Sequence, residues 1–378
     1  MKYFIIAGEK SGDLHGSNLI TELHRYDAAA DIKCWGGELM KLAGATILKN
    51  YRDTAFMGFT EVLKNIQKIR HNLSLCKAQI TEFNPDAVIL IDYPGFNLRV
   101  AAFAHENGFR VFYYIAPKIW AWNEKRVKKI RDYVDRVYII FPFEVDFYKK
   151  HNIKVEYRGN PVMDEIEKVS SALPEKDILK RSLGLDDRPV IGILAGSRKN
   201  EVGKVLPRVL EILPHFPDYQ FIIAGVEDIP DDLYYQIIKT NPVKLIKNKT
   251  YEILMVSEAA IVTSGTATLK AALLKIPQVV CFRGDFISML IAWMVIRVRY
   301  ISLVNLIMDS GVVKELIQYS LNKSNLSGEL KAILPGGNKR SVIISAYEDL
   351  RKKLGDSGVS SRIAKDMVMT IKKGIPAK

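Results

Sequence analysis

Asp92 is the residue of this chain best suited to acid–base chemistry. It ends an apolar run and is followed by a tyrosine, a proline and a glycine. A carboxylate at the end of a buried strand must face a ligand or lose its hydration. Desolvation raises the pKa of a carboxyl group and suits it to general-base work. The alternative is that Asp92 caps the next helix, and the residues alone leave both interpretations open.

A glycine-rich turn follows the first apolar run of the chain. Gly8 and Gly12 would let the backbone approach a ligand closely, and Ser11 or Asp13 would cap the helix that follows. Free N–H groups at such a helix start can hold an anion or the hydroxyls of a sugar. The alternative is a tight turn between a strand and a helix with no ligand.

An aromatic segment at residues 113–122 follows another apolar run. Aromatic side chains stack on sugar faces, but they also pack in cores. A basic cluster comes next and suits a phosphate, an acidic membrane or simply a solvated helix face. Its members are Lys125, Arg126, Lys128, Lys129 and Arg131.

Two turns in the second half of the chain suit a diphosphate. Each follows an apolar run and consists of small residues, and the first also contains an arginine, whose planar guanidinium group can bind two phosphate oxygens. They comprise Gly196, Ser197 and Arg198, and then Ser264, Gly265, Thr266, Ala267 and Thr268. Neither matches a Walker P-loop or the dinucleotide motif, which argues against an ATPase and an NAD enzyme. Further on, Glu315 with Asn305 and Gln318 could accept the hydroxyls of a ribose, or Glu315 could simply favour a helix start.

The elements that position these residues follow a βαβ pattern. Short apolar runs separated by helical patterns indicate parallel strands buried beneath helices. The runs are residues 3–7, 87–92, 111–115 and 137–141, then 190–194, 221–224, 259–263 and 278–282. A continuous apolar stripe predicts a helix over residues 61–83 that ends at Asn84–Pro85. We predict an α/β protein with two doubly wound domains, residues 1–163 and 164–340. Two helices at 341–378 are expected to pack back on the first domain.

The composition limits the class of protein. The 378 residues carry 48% apolar and 26% charged side chains and a formal charge of +13, which favours an anionic partner. The three cysteines fit neither a metal site nor a disulfide framework, and we interpret them as buried reduced thiols. The N-terminus does not resemble a signal peptide. The apolar segment 286–296 is too short to span a bilayer, for which about 20 residues are needed.

Taken in order, nine motifs resemble the lipid-A-disaccharide synthase family of inverting glycosyltransferases, over nearly the whole chain. They are G-E-K-S-G-D from Gly8, M-G-F-T-E-V from Met57, D-Y-P-G-F-N from Asp92, P-K-I-W-A-W from Pro117, F-P-F-E from Phe141, G-N-P from Gly159, G-S-R from Gly196, S-G-T-A-T-L from Ser264 and V-K-E-L-I-Q from Val313.

The resemblance implies a GT-B fold, in which two Rossmann-like domains face a central cleft. It implies transfer of 2,3-diacylglucosamine from its UDP derivative to 2,3-diacylglucosamine 1-phosphate (lipid X), giving a β-1,6 disaccharide 1-phosphate and UDP. Asp92 becomes the candidate base. The expected donor-binding residues are Gly196, Ser197, Arg198, Ser264, Gly265, Thr266, Ala267, Thr268, Asn305, Glu315 and Gln318. The expected acceptor or cleft residues are Ser11, Gly12, Asp13, Met57, Glu61, Asn97 and Trp120.

We expect no cofactor, no essential metal and no nucleic-acid partner. The resemblance implies work at the cytoplasmic face of the bacterial inner membrane. Residues 55–63 and 286–296 are candidates for acyl chains or membrane, or for core packing. The sequence leaves a homodimer open. Three positions depart from the family pattern. The family often has a small or hydroxyl residue at the position of Lys10 and an acid at that of Lys270, and some members have an acid at that of Gly95.

Two other functions remain open on the residues alone. One is a different UDP-sugar enzyme, such as a UDP-GlcNAc 2-epimerase, which would share the phosphate-suited turns but need no diacylated acceptor. The other is a non-enzymatic binder of phosphoglycolipid or nucleotide sugar, in which Asp92 would have no special importance.

Overall fold

The computed structural model describes residues 1–53, 65–117, 119–122, 126–284 and 299–374. The chain divides into two compact units, which are treated separately below. The first unit comprises residues 1–164 and 356–378, and the second comprises residues 165–355. No helix in the described ranges is long and apolar enough to cross a membrane.

The first unit is built on a parallel sheet of seven described strands in the order β3-β2-β1-β4-β5-β6-β7. Its central strands are apolar on both faces, as expected for strands covered by helices on both sides, and every residue of β4 is buried. The strands are β1 (Lys2–Ala7), β2 (Asp31–Gly36), β3 (Thr46–Asn50), β4 (Ala87–Ile91), β5 (Val111–Tyr114), β6 (Arg136–Ile139) and β7 (Val155–Tyr157).

The helices of the first unit connect these strands in the usual βαβ alternation. The long helix α3 ends where the sequence predicts, because Asn84 adopts the left-handed conformation and Pro85 follows it. The helices are α1 (Lys10–Tyr26), α2 (Glu38–Leu42), α3 (Ile66–Phe83), α4 (Pro94–Glu106), α5 (Ile119–Trp122), α6 (Val127–Tyr133), α7 (Glu144–Lys150) and α8 (Val162–Ala172), whose last residues belong to the second unit.

The second unit repeats the plan with a parallel sheet of six described strands in the order β10-β9-β8-β11-β12-β13. Its strands are β8 (Val190–Leu194), β9 (Gln220–Gly225), β10 (Val243–Lys247), β11 (Ser257–Thr263), β12 (Gln278–Phe282) and β13 (Glu315–Ile317). Its helices are α9 (Lys176–Ser182), α10 (Lys199–Leu210), α11 (Asp231–Ile238), α12 (Thr250–Val256), α13 (Thr266–Leu273), α14 (Leu303–Met308), α15 (Lys323–Ile333) and α16 (Arg340–Leu354).

The two C-terminal helices differ from the prediction that both pack on the first domain. Only the last helix, α17 (Val359–Lys372), belongs to the first unit, whereas α16 belongs to the second. Tyr347 on α16 is buried and its hydroxyl accepts a hydrogen bond from Gln278 on β12 at 3.1 Å. On α17, Asp366 is held by Arg136 at 2.9 Å and by the Tyr138 hydroxyl at 2.7 Å. The apolar faces of α16 and α17 therefore fill different cores.

Candidate active site

Both sheets reverse their strand order at one point. In the first unit, β2 and β3 extend the sheet on one side of β1, and β4 to β7 extend it on the other. The order therefore changes direction between β1 and β4, where Ala7 pairs with Ile91. In the second unit β8 and β11 are neighbours, and Leu194 pairs with Val262. Ligands of doubly wound sheets bind beyond the carboxyl ends of the strands at such reversal points. The glycine-rich turn and Asp92 follow β1 and β4, and the two phosphate-suited turns follow β8 and β11.

The turns after β1 and β4 are packed directly on each other. A Cβ placed on Gly8 would overlap the ring of Tyr93, and a Cβ on Gly12 would come within 3.1 Å of the Cβ of Ala7. Gly8 is therefore required by the packing of the turns themselves, whether or not a ligand is bound, and Gly12 lies in a tight contact with β1.

The first turn of α1 does not use Ser11 or Asp13 as its cap. Its N-cap residue is Glu9, which makes no side-chain capping bond, and the Ser11 hydroxyl donates to the Glu9 carboxylate at 2.6 Å. Asp13 is buried, and its carboxylate accepts backbone N–H bonds from Gly37 at 2.7 Å and Met40 at 3.1 Å. The expectation that either residue caps α1 was wrong, because Asp13 caps the neighbouring helix α2 instead.

Asp92 lies half-buried at the turn between β4 and α4, in an unusual backbone conformation. Its φ is 44° and that of Tyr93 is 49°, both in the left-handed region. Aspartate tolerates this region, but for a tyrosine it costs about 1–3 kcal/mol and persists only where the surroundings enforce it. At the end of the neighbouring strand β5, Ile115 has a φ of 59°. Such strained positions cluster at active sites and ligand-binding turns.

Asn97 and Trp120, both assigned to the acceptor, are anchored within the first unit. Asn97 is fully buried, and its amide donates to the carbonyl oxygens of Ile91 at 3.2 Å and Asp92 at 2.8 Å. The Trp120 indole donates to the buried carboxylate of Glu144 at 2.9 Å, so the fold fixes the orientation of its ring. Asn97 thus supports Asp92 through the backbone, while Trp120 is half-buried and keeps part of its ring exposed.

Two guanidinium groups lie close to the Asp92 turn. Burial lowers the pKa of Arg126, with Tyr113 acting to raise it and the charge of Arg99 acting to lower it. The Arg99 charge also lowers the pKa of Tyr93, which burial raises. Both guanidinium groups thus act electrostatically on tyrosines that adjoin the Asp92 turn.

Several predicted features lie outside the described residues. These are Met57 and Glu61 of the acceptor set, Lys118, Lys125, and the apolar segments 55–63 and 286–296.

In the second unit, the turn after β8 is occupied by a carboxylate of the protein. Glu201 accepts the backbone N–H groups of Ser197 at 2.9 Å and Arg198 at 3.3 Å, and pairs with the Arg198 guanidinium at 3.1 Å. Gly196 has a φ of +126° and a Cβ there would meet Glu201. These donors are the ones that a diphosphate would use, so a bound diphosphate must share them with Glu201 or displace it.

The turn after β11 leaves the start of α13 open. The Ser264 hydroxyl donates to the carbonyl oxygen of Ile301 at 2.7 Å, and Gly265 has a φ of +154°. Gly265 and Thr266 are exposed, Ala267 is half-buried, and the buried Thr268 hydroxyl donates to the Gly265 carbonyl at 2.8 Å. The first residues of α13 are therefore accessible at the positive end of the helix.

Glu315 and Asn305 are joined to each other and to the start of α14. Glu315 accepts N–H bonds from Ile301 at 3.0 Å and Ser302 at 2.9 Å, and from the Asn305 amide at 2.9 Å. Asn305 is buried and also exchanges two bonds with the backbone of Val313. The third residue of the set, Gln318, is half-buried with a φ of 54°. The structure thus joins Glu315 and Asn305, with Glu315 already engaged by the fold, whereas the Gln318 amide donates to the carbonyl oxygen of Gly284 at 3.4 Å.

Lys270, which departs from the family pattern, has partners of its own. Its ammonium lies 2.9 Å from the buried carboxylate of Glu165 and 4.7 Å from the ring centroid of Tyr251. The Tyr251 hydroxyl donates to the same Glu165 oxygen at 2.6 Å. The charge of Lys270 is therefore compensated inside the second unit.

The other two departures from the family pattern lie in the first unit. Lys10 is exposed at the start of α1, and a Cβ on Gly95 would meet no described atom within 4 Å.

Comparison with known proteins decides the family. The profile of the lipid-A-disaccharide synthetase family matches residues 3–367. The lipid-A-disaccharide synthase of Syntrophus aciditrophicus is 37% identical over 377 residues, which cover 98% of this chain and 97% of that protein. This chain belongs to the lipid-A-disaccharide synthetase family. It is a glycosyltransferase of lipid A disaccharide synthesis. The lipid-A-disaccharide synthase of Coxiella burnetii is 32% identical, with 96% of each chain covered.

Solved structures show the fold that this synthetase-family chain shares. The UDP-GlcNAc 2-epimerase of Neisseria meningitidis bound to UDP-GlcNAc superimposes with a TM-score of 0.71 at 16% identity, covering 98% of this chain and 100% of that chain. The calicheamicin glycosyltransferase CalG4 gives 0.62 at 11% identity, with 99% of each chain covered. The predicted GT-B class of two Rossmann-like domains is confirmed. The fold alone does not separate an epimerase from a transferase, whereas the family does.

Three residues of this synthetase-family chain contact its candidate site residues without being among the site residues predicted from the sequence. Tyr93 covers Gly8, the Tyr113 hydroxyl donates to the Asp92 carbonyl at 2.6 Å, and Glu201 occupies the turn at Arg198. Tyr93 and Tyr113 lie within segments that the sequence singled out, the D-Y-P-G-F-N motif and the aromatic segment 113–122, whereas nothing in the sequence singled out Glu201.

Proposed function

We propose that the chain transfers 2,3-diacylglucosamine from UDP-2,3-diacylglucosamine to the 6-hydroxyl of 2,3-diacylglucosamine 1-phosphate. The products are a β-1,6-linked disaccharide 1-phosphate and UDP. Membership of the lipid-A-disaccharide synthetase family supports this reaction. The structural observation that carries it is the half-buried carboxylate of Asp92, on a strained turn at the reversal point of the first sheet.

The reaction is a single displacement at the anomeric carbon of the donor. Asp92 accepts the proton of the acceptor hydroxyl while the oxygen of that hydroxyl forms the new bond to the carbon. The bond between the anomeric carbon and the diphosphate oxygen breaks, and its electron pair leaves with UDP. The configuration at the carbon inverts, as a β product from an α-linked donor requires.

The second unit holds the donor in this proposal. The diphosphate binds at the start of α13, where Gly265 and Thr266 are exposed, and to the Arg198 guanidinium. The guanidinium then loses part of its contact with Glu201. These groups also stabilise the charge that develops on the leaving UDP. Glu315 is the first residue of β13, the strand next to β12, and Gln318 follows its last residue; the two are proposed to bind the ribose and uracil.

The first unit holds the acceptor in this proposal. Arg126, in the basic cluster that follows the aromatic segment, and Arg99 on α4 are proposed to bind its 1-phosphate, because a guanidinium group pairs well with a phosphate. The half-buried Trp120 offers a ring to the sugar. The formal charge of +13 supports peripheral contact with the anionic inner face of the bacterial inner membrane. Binding to anionic vesicles at low salt tests that contact, and its absence would contradict it.

The test is incubation of the protein with both diacyl sugars, followed by mass detection of a disaccharide phosphate. We expect the product and UDP in equal amounts, and no UDP release without the acceptor. Asp92→Asn should abolish turnover but retain donor binding, because the amide keeps the shape and cannot accept the proton. Asp146→Asn, at an exposed aspartate of the same unit, is the control for loss of one charge. Wild-type turnover in Asp92→Asn would remove Asp92 from its role.

A further inference from the structure

The backbone carbonyl of Asp92 is held by two side-chain donors. The hydroxyl of Tyr113 donates to it at 2.6 Å, and the amide of Asn97 donates to it at 2.8 Å. Tyr113 stands on the neighbouring strand β5, paired with Leu90 of β4, and Asn97 stands in the first turns of α4. Both donor side chains are fully buried, which shields their side of these bonds from water.

The same carbonyl belongs to the peptide that links the two left-handed residues. Asp92 and Tyr93 have φ values of 44° and 49°, a pair of conformations that the chain would leave if nothing enforced them. The two bonds fix the orientation of this peptide and, with it, the ψ of Asp92, so that the backbone from which the Asp92 side chain projects is held in its left-handed conformation. The direction of the carboxylate is thus coupled to two bonds that never touch the carboxylate itself.

We propose that Tyr113 and Asn97 are positioning residues, which aim the Asp92 carboxylate by fixing the backbone on which it stands. The inference rests on the proposed role of Asp92 as the base. Asn97 then holds the Asp92 backbone, a role other than the acceptor contact that the sequence suggested. Tyr113 has the same role, although it is not among the site residues predicted from the sequence. A base must stand within hydrogen-bonding distance of the proton that it removes, and a displacement of about 1 Å can cost 100-fold in rate.

The Tyr113 hydroxyl keeps its proton over the whole working range of the enzyme. Burial, and after it the charge of Asp92, raises the pKa of Tyr113 well above its ordinary value. The hydroxyl therefore remains a donor, and its contribution should not depend on pH.

The experiment compares Tyr113→Phe with Tyr138→Phe. Tyr138 is equally buried on the next strand, and its hydroxyl donates at 2.7 Å to Asp366 of α17, so that its loss costs stability without touching the Asp92 turn. We expect Tyr113→Phe to lower kcat by roughly 10-fold at each pH from about 6 to about 9, with the KM for the UDP-sugar unchanged. Tyr138→Phe should lower the melting temperature by a similar amount and leave kcat per folded molecule unchanged.

Asn97→Ala provides a second arm that does not depend on how well Tyr113→Phe folds. It removes the other donor to the same carbonyl and should also lower kcat with little change in donor KM. Wild-type kcat in both variants would overturn the inference, as would an equal loss of kcat in Tyr138→Phe. Asp92→Asn, assayed in parallel, separates the two proposals. Turnover in that variant contradicts the base itself, whereas an inactive Asp92→Asn beside a fully active Tyr113→Phe contradicts only the positioning.

Discussion

The ring of Tyr93 lies against the α-carbon of Gly8, in the space that any side chain at position 8 would need. Tyr93 follows the candidate base directly and shares its left-handed conformation. The contact joins the turn after β1 to the turn after β4, the two neighbours at which the first sheet reverses its order. The glycine-rich turn therefore supports the conformation of the Asp92 turn.

Gly8→Ala should lower kcat, because the added methyl group displaces the Tyr93 ring and with it the Asp92 backbone. We expect a loss of about 10- to 100-fold, together with a destabilisation of about 1–3 kcal/mol from overpacking. Gly95→Ala is the matched control, since a Cβ there meets no described atom within 4 Å. Steady-state kinetics and denaturant unfolding of both variants check this. Normal turnover in Gly8→Ala would show that the turn tolerates the displacement.

The central strands could be predicted from the sequence because they are apolar on both faces. Residues 190–194 and 278–282 match β8 and β12 residue for residue. The strands that the sequence analysis missed are β2, β3, β7, β10 and β13, at or next to the sheet edges. In β3 and β10 the side chains are only partly buried and include lysines, so that no apolar run marks them.

The candidate site could be predicted as a set of turns but not as a set of contacts. Asp92 and the turns at Gly196 and Ser264 follow strand ends, and strand ends are visible in the sequence. The partners of a buried carboxylate are not visible, because they come from distant positions. Asp13 was assigned to the acceptor, yet its carboxylate accepts N–H groups 24 and 27 residues further on. Glu315 likewise binds the backbone at Ile301 and Ser302.

Arg126→Ala should raise the KM for the acceptor and leave the KM for the UDP-sugar unchanged. A charge-assisted contact to phosphate is lost, which corresponds to about 10-fold or more in KM. Arg131→Ala is the control, since Arg131 belongs to the same basic stretch but is exposed and pairs with Asp132 at 3.2 Å. An acceptor lacking the 1-phosphate should bind wild type and Arg126→Ala equally. An unchanged acceptor KM in Arg126→Ala would place the phosphate elsewhere.

Glu315→Ala should reduce both stability and UDP affinity. The carboxylate holds the N–H groups at the start of α14, and leaving them without an acceptor costs about 1–3 kcal/mol. Glu315→Gln keeps one acceptor oxygen and should recover most of the stability, while its UDP affinity stays reduced if the charge binds ribose hydroxyls. Thermal unfolding and UDP titration measure the two effects separately. Full stability in Glu315→Ala would contradict the structural part of this role.

Lys270→Glu should destabilise the second unit and weaken UDP binding, because it sets a second carboxylate against Glu165, which is 7% exposed. Breaking a buried ion pair costs about 3–5 kcal/mol, and α13, which carries Lys270, begins at the proposed diphosphate turn. The exchange Glu165→Lys with Lys270→Glu restores opposite charges and should recover most of both losses. Lys275→Glu, in the exposed pair of Lys275 with Glu348 just beyond the same helix, is the control and should be nearly neutral. Denaturant unfolding and UDP titration of the wild type and the three variants form the test. A double variant as weak as Lys270→Glu alone would show that the pair does not hold α13 in place.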